Sequence, residues 1–133
     1  MSKNVPEHMK ELVLPFDWDV KRVWALEAPV EEVALEKVQF LLGSPFWSRN
    51  PRRFTDFDLR PVDVLCGAVR SGHHLDRIDE ADTSHPIDLI DHNARLWILD
   101  GVHRVARLYR RGMCRVRMRR HSIAIRSSIR PVA

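Results

Sequence analysis

Cysteine is nearly missing from this chain of 133 residues, which has only Cys66 and Cys114. Two are too few for a disulfide framework or a thiolate zinc site, and the simplest address they predict is a reducing cytoplasm. Long hydrophobic runs are missing as well. No apolar stretch exceeds a few residues, so no segment is expected to cross a bilayer and no membrane partner is expected. The opening Met1-Ser2-Lys3-Asn4-Val5-Pro6-Glu7 has no apolar segment of the kind a secretory leader requires. Internal repeats and low-complexity tracts are absent.

Acidic residues are missing from one region only. Residues 101–133 hold ten of the 22 basic residues, all arginine, and no acid. Residues 1–100 hold the other 12 with all 18 acids, a balance of −6 against +10. Arginine's planar fork suits bidentate contact with phosphate or carboxylate. Such asymmetry points to an anionic partner, unless the acidic two-thirds simply packs against the basic third.

What is present is ordinary for a folded domain: 44% hydrophobic and 30% charged residues, in a length that makes one domain. A domain of about 150 residues buries roughly two-thirds of its unfolded surface, so a core forms without staples. Residues 1–27 are expected as an N-terminal arm that lays Trp18 and Trp24 on the core, and 28–133 as a single domain. Pro29 opens a strand over 30–35, and apolar residues 38, 41 and 42 give a helical pattern that Gly43 stops. Residues 43–62, with three prolines, are expected as loop, and 62–70 as a short helix. Gly72-His73-His74 is expected to break that helix, and 75–82 to form another with Leu75 and Ile78 as its buried edge. Adjacent histidines diverge on any regular element, so His73 and His74 make poor joint ligands and no metal site is expected.

The last third is the most regular. Residues 85–90 and 95–99 make a hairpin about the turn 91–94, because Asn and Asp tolerate left-handed backbone. From Val102 the apolar positions 102, 105, 106, 108 and 109 describe an amphipathic helix, with Arg110, Arg111 and Gly112 at its end. Cys114, Val116 and Met118 then alternate with Arg115, Arg117 and Arg119, a strand with one apolar and one arginine face. Residues 123–125 suggest one more short strand. The fold class expected is α+β, a small mixed sheet with helices packed on it.

Between the second hairpin strand and the helix lies Asp100-Gly101-Val102-His103-Arg104. A helix start exposes unpaired amides and a partial positive charge. Gly101 lets an anion approach the backbone, while Val102, His103 and Arg104 fall in the first turn, where His103 and Arg104 add donors. The combination is a phosphate cradle. Asp100 has three candidate roles: capping the helix, holding magnesium, or orienting His103.

Ile98-Leu99-Asp100-Gly101-Val102-His103-Arg104-Val105-Ala106, followed by Gly112 and a strand, resembles the signature of the ParB/sulfiredoxin-like superfamily. The resemblance covers roughly residues 28–120 and rests mainly on 85–118. It implies a ParB/sulfiredoxin-like fold and nucleotide handling, with Gly101, Val102, His103 and Arg104 gripping the phosphates of ATP, ADP or CTP, together with magnesium. Sulfiredoxins carry a catalytic cysteine where this chain has Val102, which argues against sulfinic acid reduction. ParB proteins add a helix-turn-helix domain, which finds no counterpart in the residues after the motif. Free-serine kinases of the fold carry Asp-Gly-His-His-Arg and a glutamate base after the first strand, a place nearest to Glu36, with Glu32 as second choice. The resulting expectation is a nucleotide- or phosphate-binding domain, a small phosphotransferase or NTP hydrolase with Glu36, Asp100 and His103 as catalytic candidates. Two alternatives stand beside it. One is a nucleic-acid-binding or nuclease-like module using Arg115, Arg117, Arg119 and Arg120. The other is a non-catalytic regulatory module that keeps the fold and its anion pocket.

Overall fold

The computed structural model describes residues 6–53 and 56–131. Four strands form one mixed sheet: β1 (Val30–Ala34), β2 (Ile87–His92), β3 (Arg95–Asp100) and β4 (Arg115–His121). Their order is β1-β4-β2-β3. The pairs β1–β4 and β2–β3 are antiparallel, and β2–β4 is parallel. That parallel step requires a crossover, and the expected helix supplies it as Val102–Arg110. The architecture is α+β, as the alternation of patterns predicts.

Among the described residues five short α-helices accompany the sheet: α1 (Val20–Trp24), α2 (Phe40–Gly43), α3 (Pro61–Leu65), α4 (Gly72–Glu80) and α5 (Val102–Arg110). Period-two alternation sends side chains to two faces, and both faces are covered. Ile87, Leu89, Val116 and Met118 pack against Val105 and Ala106 of α5, Ile78 of α4, Leu41 and Leu42 of α2 and Val64 of α3. On the opposite face Ile90, Trp97 and Leu99 pack against Leu14, Phe16 and Val23 from the N-terminal segment and Ile129 from the C-terminal one. The segment expected as an arm therefore supplies half of a second core.

The β4 strand differs from a strand with one arginine face because this N-terminal layer lies over its end. His121 is buried there and Arg119 largely so, and the two share Asp88 Oδ1 at 2.8 and 2.7 Å. The Arg119 guanidinium also donates to the carbonyls of Leu26 (2.6 Å) and Val23 (2.9 Å). One arginine thus binds the N-terminal layer to the sheet.

Other differences have local causes. Gly72-His73-His74 opens α4 rather than breaking a helix, because the Ser71 side chain accepts from the His74 amide at 3.3 Å. His74 and Ile78, one helical turn apart, form its buried face, while Leu75 is exposed. Residues 123–125 form no strand; Ile123–Ile129 is 3₁₀-helical and Ser122 caps it. Trp18 is half-buried against the second core, whereas Trp24 is 53% exposed. Among the described residues no helix is long and apolar enough to cross a membrane.

Candidate functional site

The tip of the β2–β3 hairpin is a two-residue turn at Asn93 and Ala94, both left-handed. From there β3 runs to Asp100, and the chain turns sharply at Gly101 into α5. Gly101 has φ +122°, and a Cβ placed on it would stand 2.6 Å from Ile87 Cγ2. Only glycine meets both conditions without movement. No side chain caps the first turn of α5. Asp100 has another use: its Oδ2 accepts from Trp24 Nε1 (2.8 Å) and Arg104 Nη2 (3.1 Å). Arg104 Nη1 also donates to the Pro86 carbonyl at 3.1 Å. The arginine is thereby held across the turn, largely buried and in a fixed direction.

A cleft of about 500 Å³ opens beside this turn. Asp100, Gly101, Val102, His103 and Arg104 all line it. Trp18, Phe46, Trp47 and Phe57 line it as well. Arg77, Glu80 and Asp82 supply further charge at its rim. The Ser84 hydroxyl and amide hold the Asp82 carboxyl below the usual carboxylate range. A second hollow of about 630 Å³, with Trp24, Pro86, Asp88 and Arg119 in its wall, shares Arg104 with the first.

His103 does not add a donor to the cleft. Its Nε2 lies 3.1 Å from His74 Nδ1, and His74 Nε2 lies 3.0 Å from the Ser48 carbonyl. A carbonyl only accepts, so His74 donates through Nε2 and its Nδ1 is left to accept from His103 Nε2–H. Both imidazoles lie on the indole of Trp47, with ring centroids 4.4 and 4.3 Å away. Burial pushes the His103 pKa down to about 3, helped by Arg77, His74 and His73. Burial lowers that of His74 as well, opposed by its bond to Ser48. Both rings are neutral at pH 7, and Nδ1 of His103 is an acceptor.

The structure brings Asp100, Gly101, Val102, His103 and Arg104 together as the sequence predicts, but not Glu36. That residue is exposed on the 3₁₀ turn Leu35–Lys37 and is absent from the cleft wall. His74, Ser48 and Trp47 were not legible as site residues. The i, i+4 spacing of His74 and Ile78 behind Ser71 was the available signal for the first of them.

The arginines of β4 have partners within the chain. Arg115 pairs with Glu32 (2.6 Å), Arg117 donates to the Ser84 carbonyl (2.7 Å), and Arg119 pairs with the buried Asp88 (2.7 Å). Arg120 lies 3.8 Å from Glu31. Among the described residues no three His, Cys, Asp or Glu side chains gather as metal ligands. Comparison with family models, with curated proteins and with solved structures finds no match to this chain.

Proposed function

We propose that this chain binds a nucleotide in the cleft beside α5, as a ParB/sulfiredoxin-like domain would. The observation that carries this reading is an uncapped helix start, entered through Gly101, that faces an aromatic-walled cleft. Free amides and the helix dipole favour the phosphates. Arg104, already oriented by Asp100 and Pro86, adds a fixed positive charge at the same point. Trp18, Phe46 and Phe57 offer apolar surface for a base, an arrangement with no use for inorganic phosphate alone.

The carboxylates on the cleft argue for a cation with the ligand. Glu80, Asp82 and Asp100 would repel a polyphosphate on their own. Magnesium takes one or two carboxylates and completes its shell with phosphate oxygens and water, so Glu80, Asp82 or Asp100 would each offer it a ligand without the three having to converge. It would supply charge neutralisation for phosphoryl transfer.

Calorimetric titration with ATP, ADP and CTP, each with and without magnesium, tests the reading. Heat is expected with at least one of them, and it should be lost in Arg104→Ala while the melting transition persists. Absence of heat with all three at millimolar concentration contradicts it.

A further inference from the structure

His103 and His74 form a hydrogen-bonded pair that phosphate binding leaves unused. Its direction follows from connectivity alone. The Ser48 carbonyl takes the Nε2 proton of His74, so His74 Nδ1 is a lone pair. That lone pair takes the Nε2 proton of His103, so the lone pair of a neutral His103 is on Nδ1. Among the described residues no hydrogen bond engages Nδ1, and His103 lines the cleft beside Gly101. The indole of Trp47 holds both rings near one plane, 16° apart, and the two hydrogen bonds set which edge each ring presents. A nucleophile's base needs a ring fixed by a second residue and a nitrogen lone pair left to accept the proton, and His103 has both on the cleft wall.

We propose that His103 is the base of this site, taking through Nδ1 the proton of a water that attacks the terminal phosphate of a bound nucleoside triphosphate, and that His74 is the residue that positions it. The inference rests on the nucleotide reading above. The water oxygen forms a bond to the γ-phosphorus while one of its protons passes to Nδ1. The bond from that phosphorus to the β-bridging oxygen breaks, and its electron pair leaves with the nucleoside diphosphate. His103, then an imidazolium, keeps its Nε2–H bond to His74 and returns the proton to solvent.

The charged groups around the ring decide when it can take a proton. Arg77, His73 and His74 face it from α4 and disfavour the imidazolium. Glu80 of α4, Asp82 beyond it, and Asp100 and Arg104 on either side of the turn share the cleft. With the cleft empty the base is weak. A seated triphosphate adds negative charge beside it and makes protonation easier, so the base strengthens when substrate is present.

Two measurements on the full chain test this. Long-range nitrogen–proton spectra of the unmodified protein should show His103 protonated at Nε2 and bare at Nδ1 at neutral pH, and the ring's pKa should rise when ADP is added. A proton on Nδ1 overturns the proposal without any variant. Phosphate release from ATP with magnesium should fall about 100-fold or more in His103→Asn. It should fall about tenfold in His74→Phe, a change that keeps the stack and removes the acceptor, with the ring at 103 no longer held in one tautomer. Equal rates in wild type and His103→Asn, or ATP binding without any phosphate release, overturn the base while leaving nucleotide binding intact. Failure of ATP, ADP and CTP to bind overturns both.

Discussion

Gly101 is the residue whose replacement has the most direct consequence. Alanine there would meet Ile87 at 2.6 and 2.8 Å and would have to hold φ +122°. Overpacking and backbone strain each cost about 1–3 kcal/mol, so Gly101→Ala should lower stability by about 2–6 kcal/mol in a denaturant melt. A change below about 1 kcal/mol would mean that the turn relaxes freely. His103 makes the second residue-level prediction, through pH. Its folded pKa of about 3 lies below the ordinary value of 6.5, so the folded state favours the neutral ring. The stability linked to it is complete above about pH 6.5 and declines as pH falls toward 3, because the unfolded chain takes up the proton first. The slope approaches about 1.4 kcal/mol per pH unit for one such group. His74, shifted the same way, adds to it. Melts of wild type and His103→Asn between pH 7 and 4 should converge as the pH drops, since the variant lacks this loss.

At the scale of elements, the N-terminal layer is joined to the sheet through the Arg119–Asp88–His121 cluster. Arg119→Met would leave the Asp88 carboxylate buried with His121 alone and cut the bonds to Val23 and Leu26. Breaking a buried pair from one side costs about 3–5 kcal/mol. Hydrogen exchange should accelerate first in residues 14–26, with the α5 side of the sheet protected longer; uniform acceleration would show that the two cores do not separate. The same cluster marks where sequence patterning stops being informative. The hairpin, α5 and β4 were legible because each has an unbroken period and a turn or stop residue beside it. The burial of Arg119 was not, because alternation gives the face of a side chain and not what covers that face. The start of α4 was missed because glycine in Gly72-His73-His74 suggested a break, while the Ser71 cap decided otherwise. Asp100-Gly101-Val102-His103-Arg104 was legible as one site because its members are contiguous. His74 and Trp47 reach it from distant segments, and only packing brings them in.

Over the whole molecule, several arginines of the basic final third are met by acids or carbonyls of the same chain, most of them at exposed positions. Arg115, Arg117, Arg119 and Arg120 meet carboxylates or a carbonyl, and Arg110 pairs with Asp79. Arg104 stands between two hollows and is held by Asp100, which Trp24 of the N-terminal layer holds in turn. The N-terminal layer and the sheet thus meet at the cleft, and the account depends on which hollow the ligand occupies. A crystal structure with ADP and magnesium decides this. Phosphate oxygens should lie within hydrogen-bonding distance of the amides of Val102, His103 and Arg104, with the base against Trp18, Phe46 or Phe57. A nucleotide lodged beneath Trp24 and Pro86 instead, or a cleft that stays empty at saturating ADP, would contradict it.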